Sequence, residues 1–362
     1  LNFVDLTYYH LPAIAPEAVL VRQQANLGYM RHLPGDFRTT VVKFLDRRVH
    51  FTREGIDYHF FPGGNSRLWW PRQANNFIQS LHPDVVLIHG LVSPLQLLGL
   101  RTQLGKKPKL LVQHHAEGPG KGLMRFFQTR ADKVTDAYLF HSKEQAKPWV
   151  QSGIISSADK VFEITEGSTS FKPMNREEAR RAAGVAGEPS FLWVGRLNAN
   201  KDPLTVVKGF ADYSATHPGA RLYMIYSEDE LLPEVESFLQ QRQLSGQVVL
   251  VGRKAHDELR AWYSAADFYI SGSHSEGSGY ALIEAMACGC IPVVTDIPSY
   301  RKMTDNSRLG FLYKPGNPEE LSQVLESLKA DDASRQEVRK YFEEKLSFEA
   351  IAKSIADVCR SV

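Results

Sequence analysis

Three cysteines, at 288, 290 and 359, are all that the 362 residues contain. They are too few and too poorly spaced for a disulfide framework, which points to a reducing cytosol and a fold held by apolar burial. Long hydrophobic runs are also missing. The best candidate, Val85 to Leu100, is broken by His89, Gly90, Ser93, Pro94 and Gln96, whereas a membrane-spanning helix needs about 18 or more apolar residues in succession. The chain opens on a strand-like Asn2-Phe3-Val4-Asp5-Leu6, with no basic n-region or small-residue cleavage site of the kind a secretory leader carries. No low-complexity segment occurs, and neither sign of charge dominates: 43 Lys and Arg face 41 Asp and Glu, a net charge of +2.

Certain chemistries lack their residues. No Asp-x-Asp pair and no cysteine–histidine cluster with metal-ligand spacing is present, so no protein-held metal is expected. Cys288-Gly289-Cys290 reads instead as a helix end entering a strand, with both sulfurs in the core. A dinucleotide-dependent oxidoreductase would need G-x-G-x-x-G. The G-x-G core at Gly277-Ser278-Gly279 continues to Leu282, which argues against that class.

What is present suits two globular domains of ordinary size, each able to bury a core. Hydrophobic content of 43% and charged content of 23% are those of a soluble protein. The small net charge hides an asymmetry. Residues 1–172 hold 21 Lys and Arg against 14 Asp and Glu, and residues 173–362 hold 22 against 27. A basic amino-terminal half suits an anionic acceptor or peripheral contact with the inner face of a membrane, and equally a scattered solvated surface. Nothing points to nucleic acid, and oligomeric state is not legible.

Strand-like and helix-like segments alternate throughout, which predicts parallel sheets wrapped by helices. Strands are expected near 2–6, 39–44, 57–62, 84–89, 109–113, 136–141 and 160–164, then near 190–195, 220–226, 247–251, 267–271, 291–295 and 309–313. Helices are expected near 17–33, 71–81, 93–104, 122–134 and 143–152, then near 175–183, 203–216, 231–242, 256–265, 279–288, 318–329, 333–345 and 348–361. The small, polar stretch from Glu166 to Pro173 predicts a hinge.

The chemistry concentrates in two stretches. Phe191-Leu192-Trp193-Val194-Gly195 reads as a buried strand, followed by Arg196-Leu197-Asn198-Ala199-Asn200-Lys201-Asp202-Pro203. Asp202 suits an N-cap with Pro203 opening a helix, which leaves Arg196 and Lys201 on the loop at the strand's carboxyl end. The second stretch runs from Ser273 to Val294. Glu276 precedes its helix and Glu284 lies inside it, with seven residues between. Helical rise separates residues eight apart by about 12 Å, too far for a glycosidase pair at about 5–9.5 Å. Two acceptors gripping hydroxyls at opposite ends of one long ligand fit better. Small residues at 277–279 leave the helix start open as an anion site, and Gly289 suits the left-handed residue that ends the helix.

The string S-x-x-E-G-x-G-x-x-x-x-E-A-M-A-C-G-x-I-P-V-V from Ser273 resembles the donor-site signature of glycosyltransferase family 4. G-R-L-x-x-x-K-x-P at Gly195–Pro203 is similar to the same family's diphosphate-binding motif. The resemblance is strong over about residues 190–315 and architectural before that. It implies an α/β GT-B fold: two Rossmann-like parallel-sheet domains facing a central cleft. These would be an acceptor-binding domain over 1–170, a sugar-nucleotide domain over 171–345, and a final helix, 346–362, returning to the first domain. It implies a retaining hexosyltransferase with a UDP or GDP sugar as donor substrate, no separate cofactor, and a sugar, glycan or glycolipid acceptor, in polysaccharide or glycolipid synthesis.

By the same resemblance, Arg196 and Lys201 neutralise the leaving diphosphate, Glu276 points at the transferred sugar, and Glu284 accepts from the ribose. Backbone N–H groups near Gly277, Ser278, Gly279 and Tyr280 meet phosphate or sugar. Gly252 matches the turn that reads the base, with Arg253 beside the nucleotide or on open surface. His115, or failing it His114, lies where the family places a histidine near the donor sugar, and Ser142 ends a later strand at the ligand edge. Against these roles stands the plainer reading of Arg196 as an edge ion pair and Lys201 as solvated. Rivals within the fold are a sugar-nucleotide epimerase or hydrolase, or a silent nucleotide-sugar binder. The sequence departs from the family at Thr7–Ile14, bulky where a Gly-Gly loop is usual, and at Tyr226-Ser227-Glu228-Asp229-Glu230, acidic where a glycine is usual. Ser278 also stands where an aromatic is common.

Overall fold

A computed structural model describes residues 1–10, 15–64, 69–329 and 331–362. The chain forms two compact units, one of Leu1–Ser168 with Phe348–Val362 and one of Thr169–Ser347.

The first unit is built on β1 (Asn2–His10), β2 (Arg38–Leu45), β3 (Val49–Arg53), β4 (Ile56–Pro62), β5 (Val85–His89), β6 (Lys109–Gln113), β7 (Ala137–Phe140) and β8 (Val161–Glu163). They pair in the order β3-β4-β2-β1-β5-β6-β7-β8. The central strands are near-continuous apolar runs because helices cover both sheet faces. All pairings are parallel except β3 with β4.

Strand β3 was not expected. It is half of a hairpin closed by Glu54 and Gly55, whose φ of 54° and 77° give the two positive values of a tight two-residue turn. Glutamate is not among the residues that usually announce such a turn. Thr7–His10, expected as a loop, instead continues β1; Leu11–Ile14 lie outside the described residues. The helix expected over 17–33 is broken into Pro16–Arg22, Gln24–Leu27 and a tighter 3-10 turn at Gly28–His32.

The break has a packing reason. The final helix, Phe348–Ser361, lays Phe348, Ile351, Ala352, Ile355 and Val358 among Phe3, Val19, Leu27, Tyr29 and Val41. Phe348 fills the space beside Gly28, where a Cβ would fall 2.4 Å from the ring.

The second unit holds β9 (Ser190–Gly195), β10 (Arg221–Tyr226), β11 (Val248–Gly252), β12 (Phe268–Ser271), β13 (Ile291–Thr295) and β14 (Phe311–Tyr313). Their order is β11-β10-β9-β12-β13-β14, parallel throughout. Chain order reverses between the neighbours β9 and β12, so their outgoing loops diverge and leave a crevice at the carboxyl edge. Helix Pro298–Met303, unanticipated, follows β13. Cys288 and Cys290 are buried and unbridged, and burial pushes the Cys288 thiol up to about 11.

Gly28→Ala should lower the unfolding free energy of the first unit by about 1–3 kcal/mol through overpacking against Phe348. Gly35→Ala, with open space at its Cβ, should shift it by less than about 0.5 kcal/mol. Urea unfolding of both variants is the measurement.

Candidate active site

The loops leaving β9 and β12 are stitched together before any charged pair is counted. Asp202 caps helix Pro203–Ser214, accepting from the Thr205 N–H at 3.1 Å and the Thr205 hydroxyl at 2.7 Å. It does so at a left-handed φ of 41°, a region aspartate tolerates better than most residues. The His274 N–H donates to the Asn200 carbonyl at 2.8 Å, and the Asn200 amide donates to the Ser275 carbonyl at 3.0 Å. His274 Nε2 lies 3.0 Å from Asp202 Oδ2. Gly272 permits this approach, since a Cβ there would sit 2.6 Å from the Asp202 carbonyl.

On this frame the Lys201 ammonium donates to the Glu276 carboxylate. Their side chains are only 21% and 11% exposed, so the pair is screened less than a surface bridge. The Tyr300 hydroxyl, 3.0 Å from Ser271 Oγ, lies 3.3 Å from Glu276 Oε1. Gly279 makes room for Tyr300: a Cβ would come 2.7 Å from the ring, and its φ of 64° favours glycine in any case. Helix Tyr280–Ala287 begins here without a side-chain cap, so the positive end of its dipole faces the crevice.

The crevice holds about 560 Å³ and is lined by Arg196, Lys201, Arg253, Lys254, Glu276 and Tyr280, with Tyr226 and His256 closing its sides. That volume lies within the range of small-ligand sites, about 300–1,000 Å³. Cations outnumber carboxylates on its walls, which suits a polyanion. Arg196 is half-exposed, with Glu228 of the acidic loop at 3.8 Å. The departure at 227–230 thus places a competing carboxylate beside this cation.

Glu284 sits one turn into the helix, 12% exposed, accepting from the Tyr263 hydroxyl at 3.1 Å and meeting His256 Nε2 at 2.6 Å. The hydrogen bond and charge of Glu284 raise the His256 pKa above 6.5 despite partial burial. Phe171 stacks on that imidazole at 4.9 Å.

The structure therefore brings Arg196, Lys201, Arg253, Glu276 and Tyr280 to one crevice. Gly252, Gly277, Ser278, Gly279 and Glu284 do not themselves line it. Gly252 turns with φ 76° just before Arg253, and Ser278 is buried. Lys254, His256 and Tyr300 escaped the sequence reading, and Tyr226 was read only as the start of the acidic loop. Tyr226 ends β10, and Lys254 and His256 follow closely after β11, so listing every residue at the carboxyl edge would have found them; Tyr300 had no local signal. Among the described residues no three His, Cys, Asp or Glu side chains converge as a metal site.

In the first unit, His114 and His115 part company. His114 is buried, stacked on Phe140 at 4.5 Å, with Nε2 2.8 Å from the Glu117 carbonyl, and burial lowers its pKa. His115 joins a chain of four groups. Asp5 Oδ2 lies 2.6 Å from His89 Nε2, His89 Nδ1 lies 2.8 Å from His115 Nε2, and His115 Nδ1 lies 3.0 Å from Glu166 Oε2.

A proton arrangement that satisfies every link has neutral His89 donating to Asp5 and accepting from a doubly protonated His115, which also donates to Glu166. The pKa directions agree. Burial lowers His89, whereas the bond and charge of Glu166 overcome burial and raise His115. Both ring nitrogens of His115 are thus engaged within the unit. Ser142 caps helix Lys143–Gln151 through a capping box with Gln145.

His89→Ala would take from the fully buried Asp5 carboxylate its nearest donor, leaving it Tyr29 and Lys43. The expected loss in urea unfolding of the first unit is about 1–3 kcal/mol. For His256, the raised folded pKa means the pair with Glu284 contributes stability that is complete below the ordinary value near 6.5 and is lost as pH rises through the raised value. NMR titration should find the His256 pKa above 6.5 in the native chain and nearer 6.5 in Glu284→Gln. The stability gap between the two should narrow as pH rises from below 6.5 through the raised His256 value.

With this geometry in view, comparison with known proteins is direct. The family model for glycosyl transferases group 1 matches residues 175–345. The GDP-mannose:cellobiosyl-diphosphopolyprenol alpha-mannosyltransferase of Xanthomonas oryzae is 23% identical over 253 residues, 68% of this chain and 64% of that protein. The alpha-monoglucosyldiacylglycerol synthase of Streptococcus pneumoniae is 28% identical over 158 residues, 43% of this chain and 35% of that protein. The chain thus spans less than two-thirds of either relative. Among solved structures, HepE of Anabaena in complex with UDP matches with a TM-score of 0.76 at 15% identity, covering 100% of both chains; that likeness is one of fold, GT-B. The second unit, over residues 175–345, is a domain of the group 1 glycosyl transferase family.

Proposed function

We propose that this chain is a retaining glycosyltransferase that moves a hexose from a UDP or GDP sugar to an acceptor hydroxyl. The second unit would bind the donor and the first the acceptor. One observation carries the reading: a carboxylate locked to Lys201, two arginines and an uncapped helix start share one crevice. Glu284 stands one turn further along the same helix.

In the reaction, the bond between the anomeric carbon and the diphosphate breaks while the acceptor oxygen attacks from the same face. The acceptor proton passes to the departing phosphate oxygen. Lys201, Arg196 and the helix start stabilise the negative charge that grows there, and Glu276 orients the sugar. Glu284 takes the ribose hydroxyls once His256 yields. The names of these two relatives contain lipid-linked sugars, a cellobiosyl-diphosphopolyprenol and a monoglucosyldiacylglycerol, which favours a glycolipid or lipid-linked glycan acceptor here.

UDP or GDP should raise the thermal unfolding midpoint and NAD should not; at a hundredfold excess over Kd the gain is about 2.7 kcal/mol. Lys201→Ala should abolish the shift, and removing both Arg196 and Lys201 should lower the transfer rate by about 10²–10⁴-fold. Product released from donor without acceptor would mark an epimerase or hydrolase. Nucleotide binding with no turnover over a broad acceptor panel would mark a silent binder.

A further inference from the structure

We infer that the helix Gly122–Asp132 of the first unit is a docking face for an anionic lipid bilayer. This helix is oriented against expectation. Its inner side is formed by Gln128, Ala131 and Asp132, two of them polar, while Leu123 and Phe126 point outward, 77% and 49% exposed. They stand three residues apart, on one face.

The orientation is fixed from inside. The Gln128 amide donates to the Leu91 carbonyl at 2.8 Å and accepts from the Gly120 N–H at 3.0 Å. Asp132 is held by Lys160 at 3.2 Å. Rotating Leu123 and Phe126 inward would break all of these bonds.

Charge selects the occupant. Lys121 and Lys133 are exposed at the two ends of the helix, and the Arg130 guanidinium lies over the Phe126 ring at 4.2 Å. Asp132, the helix's one carboxylate, is buried, so its outer face offers none. Apolar side chains flanked by cations match a bilayer, with acyl boundary beneath and anionic headgroups at the sides. A nucleic acid would engage the cations and leave Leu123 in water. A stable protein partner needs about 800 Å² per side, more than one face of a helix about 16 Å long provides. The helix follows β6 at the carboxyl edge of its sheet, the edge where such sheets take ligands. The docking face goes beyond the proposed transfer reaction and does not depend on it.

Co-sedimentation of the full chain, without nucleotide, with vesicles of phosphatidylcholine alone or mixed with phosphatidylglycerol tests the inference. Binding to the anionic vesicles, weaker at high salt, is expected. Leu123→Ser with Phe126→Ser should reduce it about tenfold or more, and Lys121→Glu with Lys133→Glu should remove the preference for anionic lipid. These side chains are exposed, so both double variants should keep the native unfolding midpoint and the shift with UDP or GDP. A missing nucleotide shift would then count against the transfer reading alone. Equal binding by wild type and Leu123→Ser/Phe126→Ser, or equal affinity for both vesicle types, overturns the inference. So does a lipid-free dimer that Phe126→Ser dissolves, which would assign the face to a second copy.

Discussion

The bond between the Lys201 ammonium and the Glu276 carboxylate joins two loops that leave neighbouring strands on either side of a reversal in chain order. The rest of the crevice depends on it and on the backbone contacts beneath it. Each of these two partly buried, oppositely charged groups has the other as its partner. The loops can come close because Gly272 has no side chain to strike the Asp202 carbonyl. Remove the reversal between β9 and β12 and the same residues would lie on separated loops with nothing to enclose.

The second unit uses this pairing economically. Glu276 and Glu284 are each held by a tyrosine hydroxyl from elsewhere in the unit, Tyr300 and Tyr263 respectively. Each also has a cation able to turn toward an incoming anion, Lys201 for one and His256 for the other. Arg196 is half-exposed beside Glu228. A ligand with phosphate in its middle and hydroxyls at its ends would trade these internal contacts for its own.

The first unit handles buried charge differently. Asp5, His89, His115 and Glu166 form one line of successive hydrogen-bond contacts, and Lys43 stands 3.8 Å from the other oxygen of Asp5. Such a line resists rearrangement because moving one proton disturbs every neighbour. It ties the middle of β1 and the end of β5 to the loop after β6 and to Glu166, two residues before the first unit's main segment ends.

Much of this was legible in one dimension. The strands β9 to β14, the N-cap at Asp202 and the left-handed Gly289, at φ 73°, all follow from neighbours within a few residues, where conformational preference is local. Glu276 and Glu284 stood out because their spacing lies within a single loop-and-helix segment. The hairpin at Glu54-Gly55 was missed because its turn residues are uncommon ones, and the broken helix at 16–32 because its cause, Phe348, lies over three hundred residues away. The order of the strands, the meeting of Lys201 with Glu276, the capture of Glu284 by His256 and the line from Asp5 to Glu166 were decided by tertiary structure alone. They are contacts between groups far apart along the chain, and only the packing of sheets and helices sets such distances.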